Sequence, residues 1–269
     1  MSRAGRAAAW AVVAALVALY VAWGLVPGAA VFREVLTPRA LLALAAAAKL
    51  VILATGALAA FACRDRYEEG NPARPAWALL SAGLFATLAG QMSLAPYQLV
   101  ANTTPFPSVG DLYFVLSYPF FIAAFLVFLR AYQESGLPVG SATERAGIVL
   151  GVGVVAGMVV LRVLQPVAAG GGELLDRILT LAYPLLDFVL LLPLALLVRI
   201  AARLRGSRAG AVWGLVLAGF VSLCFGDIFF AYFTALGQEH LDPYVHAGYI
   251  LSYALIMGGA LRQHDLLAA

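Results

Sequence analysis

The sequence predicts an all-α integral membrane protein with eight transmembrane helices, and three observations carry that expectation. Hydrophobic residues make up 63% of the 269-residue chain and charged residues 12%, where a soluble domain has about a quarter of its residues charged. The apolar residues fall into long runs, and crossing about 30 Å of hydrocarbon takes roughly 20 helical residues. The arginines gather in alternate connections between those runs. No stretch outside the runs is long enough for a soluble domain, so 1–269 reads as one transmembrane domain.

The expected spans are 8–26, 40–62, 76–95, 111–130, 146–165, 177–200, 210–235 and 244–262. Arg3 and Arg6 before the first run also give it the form of a signal peptide, with Gly28-Ala29-Ala30 as a conceivable cleavage site. The run's length and its place in the repeat described below favour a span. Pro38, Pro72, Pro75 and Pro243 stand at the edges of runs, where a proline can begin or end a helix.

Arginine placement sets the expected topology. One side holds Arg3, Arg6, Arg64, Arg66, Arg74, Arg130, Arg145, Arg199, Arg203, Arg205 and Arg208. The other has Arg33, Arg39, Arg162 and Arg177, with no Lys or Arg in 96–110 or 236–243. By the positive-inside rule both termini are cytoplasmic, in a bacterial inner membrane. The net charge of +3 is scattered and forms no basic stripe, which argues against nucleic acid as a partner. Cys63 and Cys224 suggest neither a disulfide framework nor a metal site.

An internal echo divides the chain in two. Ala76-Trp77, Gly83 and Gly90-Gln91 recur at one offset as Val212-Trp213, Gly219 and Gly226-Asp227. Leu116-Ser117-Tyr118-Pro119 recurs one residue out of step as Leu251-Ser252-Tyr253-Ala254. The pattern reads as halves 1–135 and 136–269 of four spans each. An even number of spans gives both halves the same orientation, a parallel repeat.

Charges inside a bilayer are costly, roughly 2.5–3.5 kcal/mol each on insertion scales, so they mark the places where function is to be sought. Lys49, Asp187 and Asp227 lie within spans, and Asp111 opens the fourth. At 1.5 Å of rise per residue, Lys49 and Asp187 fall roughly 13–15 Å from the outer surface. Gln91 and Asp227 also fall in the outer half, near Tyr113, Tyr118, Tyr183, Tyr232, His246, Tyr249 and Tyr253. Pro119 and Pro184 each follow a tyrosine and each remove an intrahelical hydrogen bond. The candidate ligand-binding or ion-pair cluster is therefore Lys49, Gln91, Asp111, Tyr118, Tyr183, Asp187, Asp227, His246 and Tyr253.

Three readings of that cluster stand side by side: a polar cavity that is a ligand-binding or catalytic site for a small or lipid-like molecule, an ion pair of Lys49 with Asp187 or Asp227 that joins the halves, and a proton path. The ion pair predicts that Lys49→Met destabilises the protein. The uncharged segment 96–109, with three prolines, is suited to be a lid over the bundle or a plain connector. Asn102-Thr103-Thr104 matches a glycosylation sequon, a pattern frequent by chance. The histidines His240, His246 and His264 lack metal-ligand spacing, and His246 with Asp242 reads as a contact at a span end. Neither a metal nor another cofactor is expected. Serine-hydrolase elbows, phosphate loops and dinucleotide fingerprints are absent.

Pro105-Phe106-Pro107-Ser108-Val109-Gly110-Asp111-Leu112-Tyr113, then Leu116-Ser117-Tyr118-Pro119, Tyr183-Pro184-Leu185-Leu186-Asp187 and Phe225-Gly226-Asp227 carry a resemblance. They are similar to the multi-span sensory region that precedes GGDEF or EAL domains in bacterial cyclic-di-GMP enzymes. The chain departs from that pattern in having Gln91 where an acid is frequent and no output domain after the last span. The resemblance implies a non-enzymatic sensor-like or assembly module, with a protein partner supplying the output. More distantly, Lys49 and Asp227 resemble the site of the lysoplasmalogenase-like (YhhN) eight-span hydrolases. That resemblance implies Asp227, Asp187 and Lys49 as catalytic groups, with Gln91 again out of pattern. A transporter is the third expectation.

Overall fold

The computed structural model describes residues 3–25, 36–101, 103–136, 140–165, 173–203, 208–237 and 241–268. Gly28-Ala29-Ala30, Arg33, Asn102, Arg205, His240 and the side chain of Asp242 lie outside the described residues. In chain order the helices are α1 Arg3–Leu25, α2 Pro38–Arg66, α3 Ala73–Pro96, α4 Val109–Glu134, α5 Ala142–Val159, α6 Leu174–Arg203, α7 Arg208–Ala235 and α8 Asp242–Leu267. Short π-helical turns, Tyr97–Ala101 and Val160–Leu164, extend α3 and α5. Each expected span coincides with one helix. Among the described residues, α2 to α8 are long and apolar enough to cross a membrane, and α1 carries a shorter apolar stretch, Ala7–Trp23. The protein is an all-α multi-span membrane protein.

The helices overrun the expected spans because polar caps continue them beyond the apolar run. Thr37 Oγ1 accepts the Ala40 N–H at 3.2 Å, with Pro38 in the first turn of α2. At α5, Ser141 and Glu144 satisfy each other's backbone N–H groups as a capping box. Arg199 of α6 holds Glu144 at 2.6 Å, which ties the start of α5 to its neighbour.

Six helices close a ring. α2 packs on α3, α3 on α4, α4 on α6, α6 on α7, α7 on α8, and α8 on α2. Outside the ring, α1 lies against α8 and α5 against α6. Tyr20 fixes α1 by donating to the Leu41 carbonyl and setting its ring edge-on to His246. By contrast, α5 has no buried residue.

At one end the ring is filled by apolar side chains. Trp77, Phe125, Phe128, Trp213 and Phe220 are buried there, and several meet edge to face, such as Phe128 with Trp213 at 4.6 Å. Such geometry adds to area burial. Close helix contact needs glycine, as is common between membrane helices. A Cβ on Gly83 would stand 2.4 Å from Phe121, and one on Gly219 2.6 Å from Ile256. Towards the other end, Gly90 faces Phe114 and Gly226 faces Tyr249 in the same way. These contacts repeat at the offsets read in the sequence, α3 on α4 in one half and α7 on α8 in the other.

Candidate functional site

Beyond the aromatic packing the ring encloses a cavity of about 860 Å³, and every ring helix contributes a polar side chain to its wall. These are Lys49 from α2, Gln91 from α3, Tyr118 from α4, Tyr183 from α6, Asp227 from α7 and Tyr249 from α8. The segment after α3 bends over the mouth. Gln98 donates to Thr104 Oγ1 at 3.3 Å, Phe106 packs against Phe230 of α7 at 5.5 Å, and residues 103–106 line the cavity.

Two carboxylate systems sit in the wall. At the start of α4, Asp111 accepts the Ser108 N–H at 2.6 Å and the Ser108 hydroxyl at 2.7 Å. Its other oxygen accepts from Tyr183 at 2.6 Å, linking α4 to α6. Deeper, the Tyr118 hydroxyl stands 2.9 Å from Asp187 Oδ1 and 2.8 Å from Asp227 Oδ2. Tyr249 donates to the other oxygen of Asp227 at 2.6 Å. Asp227 thus has two phenolic donors and belongs to the wall. Asp187, fully buried, lies behind Tyr118 with the Cys224 thiol beside it.

Lys49 differs from these groups. Only 3% exposed, it lines the cavity and makes no hydrogen bond or ion pair among the described residues. The ion pairs found there join surface groups, Arg64 with Asp65, Arg74 with Glu69, Arg130 with Glu134 and Arg199 with Glu144. The expected pairing of Lys49 with Asp187 or Asp227 does not form. Ring order explains this: α2 lies between α3 and α8, so neither α6 nor α7 is its neighbour. Tyrosine hydroxyls already occupy the acids.

Around Lys49 other polar atoms are also open. Gln91 Oε1, Gln98 Oε1, Asp176 Oδ1 and His246 Nδ1, all on residues of the cavity wall, are buried without a hydrogen-bond partner among the described residues. His246 lies within electrostatic reach of Lys49, and the Tyr253 hydroxyl faces Gln91. A buried polar atom left unmatched costs about 1–3 kcal/mol, so these atoms mark where the wall can bind a polar group. What it offers is one ammonium with three N–H donors, amide acceptors and an imidazole, flanked by Leu42, Leu94, Phe114 and Leu223.

All nine expected cluster residues except Asp187 line this one cavity. Tyr113 and Tyr232, expected at the same depth, point outward and are exposed. Tyr249 and Ser108 carry more of the site than the sequence assigned them. Ser108 was legible, because Ser-x-x-Asp before an apolar run is a capping-box pattern. Tyr249 stood in the sequence among the tyrosines expected at this height, and the structure sets it against Gly226 as it sets Phe114 against Gly90. Cys224 gave no such signal. No family model, no curated protein and no solved structure matches this chain.

Proposed function

We propose that the protein is a non-enzymatic membrane module that binds a small amphipathic acid in the ring's cavity, as the sensory region it resembles implies. One observation carries this reading: Lys49 is a buried cation without a partner among the described residues, lining a cavity in which Asp111 and Asp227 already accept from tyrosines. A carboxylate or phosphate on the ligand supplies the missing counter-charge, and the apolar lining takes its hydrocarbon part. The residues behind the resemblance, Ser108, Asp111, Tyr118, Tyr183, Asp187 and Asp227, are those joined in the two carboxylate systems, which supports a common purpose for them.

Hydrolysis fits less well. A two-carboxylate mechanism needs an acid and a base at the substrate. Gln91 stands at one expected position and Asp187 is sealed behind Tyr118, so Asp227 is the one acid at the floor. The test uses purified protein in lipid nanodiscs with decanoate and, as an uncharged control, decanol. Decanoate is expected to raise the apparent melting temperature of the wild type and to leave Lys49→Met unmoved. Equal shifts with decanol, or an unchanged response in Lys49→Met, would exclude an acid-binding role for Lys49.

A further inference from the structure

The Tyr118 hydroxyl has one hydrogen and stands within bonding distance of two carboxyls, Asp187 at 2.9 Å and Asp227 at 2.8 Å. A hydroxyl donates once, so one of these contacts takes its hydrogen from the carboxyl side. Asp227 receives a second phenolic hydrogen from Tyr249, which makes it the carboxylate of the pair. Asp187 then holds the proton and donates to the Tyr118 oxygen. The pair bears one negative charge, and Lys49, Asp111, Asp176 and Arg177 line the same cavity.

Binding an acid changes this balance. Lys49 does not touch the pair, but an anion seated on it cancels that positive charge in the shared cavity and leaves the charge of the Asp187–Asp227 pair less offset in a low-dielectric interior. Uncompensated buried charge is strongly unfavourable. The pair removes it by taking a second proton, which enters at Asp227 because that carboxyl faces the cavity and Asp187 does not.

We propose that the cavity is a proton-coupled anion site: one anion at Lys49 and one proton at the Asp187–Tyr118–Asp227 bridge bind together. This rests on the acid-binding reading and adds its stoichiometry. The step balances simply, with a proton passed from the aqueous buffer acid to Asp227 and its conjugate base left in solution, no bond to carbon made or broken, and no electron moved. A ligand entering as an anion and leaving with a proton is transferred as a neutral unit, which suits a site between helices in a bilayer.

The groups around the bridge define the controls. Asp111 on α4 is held by Ser108 and Tyr183 at the mouth, and Cys224 lies beside Asp187. Tyr249 and Tyr253 stack on α8, and α3 contributes the non-titrating Gln91. Lys49 itself and His246, on α8 near it, are other cavity groups able to exchange a proton, and Asp176 and Arg177 of α6 also line the cavity.

Calorimetric titration with decanoate, in buffers of different ionisation enthalpy, reads the number of protons taken up. The wild type is expected to gain about one proton per anion. Asp227→Asn should bind decanoate with none, while Asp187→Asn, which replaces a neutral acid by a neutral amide, and His246→Gln should keep the uptake. An infrared difference spectrum of the wild type should show a new protonated-carboxyl band on binding, a readout that stands if either Asp variant fails to fold. Decanoate binding without proton uptake overturns the coupling and leaves the acid-binding reading intact. Uptake that persists in Asp227→Asn, or is lost in His246→Gln, assigns the proton elsewhere and overturns it too. No decanoate binding at all overturns both.

Discussion

Tyr183 donates a 2.6 Å hydrogen bond to Asp111, and so fastens α6 to the first turn of α4 at the seam where the two halves of the ring meet. The same carboxylate accepts from Ser108, so one acid both caps a helix and bridges two.

Tyr183→Phe removes that bridge and leaves the cap in place. A hydrogen bond to a charged group contributes about 1.5–3 kcal/mol, and a loss of that order is expected in thermal unfolding of the purified protein. Asp111→Asn should cost at least as much because it also weakens the cap. In a double-mutant cycle the two changes should fall well short of additive, since they share a contact. Additive losses would mean that the bond contributes nothing.

The close glycine contacts predict a graded series. A methyl at Gly219 meets the Ser252 carbonyl at 2.8 Å as well as Ile256, so backbone must move to admit it. Overpacking of this kind costs about 1–3 kcal/mol, and Gly219→Ala should lower the melting temperature accordingly. Gly153→Ala is the control, because nothing lies within 4 Å of the added carbon. Its stability should be unchanged or slightly raised.

Lys49→Met is expected to raise the stability of the ligand-free protein, the opposite of what an ion pair predicts. The upper bound is the roughly 2.5–3.5 kcal/mol that a central lysine costs on insertion scales. In the wild type, decanoate at about a hundred times its dissociation constant should add about 2.7 kcal/mol. Thermal unfolding with and without decanoate measures both effects.

Phe106 against Phe230 holds the segment over the cavity mouth. In a background of Cys63→Ala and Cys224→Ala, a cysteine placed by Gln91→Cys reports access to the floor. Its reaction with a charged aqueous thiol reagent should be slow, and faster once Phe106→Ala is added. Equal rates would show that the segment does not limit entry.

Depth was readable from the sequence and direction was not. Counting residues along an apolar run places Lys49, Gln91, Asp187 and Asp227 at related heights, and the helices are where the runs are. Height is one coordinate of three. Which way a residue faces depends on the rotation of its helix, and Tyr113 and Tyr232 turn outward at the height of tyrosines that turn in. Which helices adjoin depends on the order around the ring, and that order separates Lys49 from the acids. The tryptophans of the echo were visible because tryptophan is scarce, and the structure sets Trp77 and Trp213, at matched positions, 6.5 Å apart across the ring.

The near-absence of burial in α5 has a meaning in terms of parity. Three ring helices, α2 to α4, carry the chain across an odd number of times and leave it on the face opposite its entry. If α6 followed directly, α6 to α8 would run upside down relative to α2 to α4, and the Gly219 contact could not mirror that at Gly83. One further crossing corrects the count. Because that correction is purely arithmetic, almost any apolar helix of adequate length serves, and the outward face of α5 is left without a sequence requirement from the core.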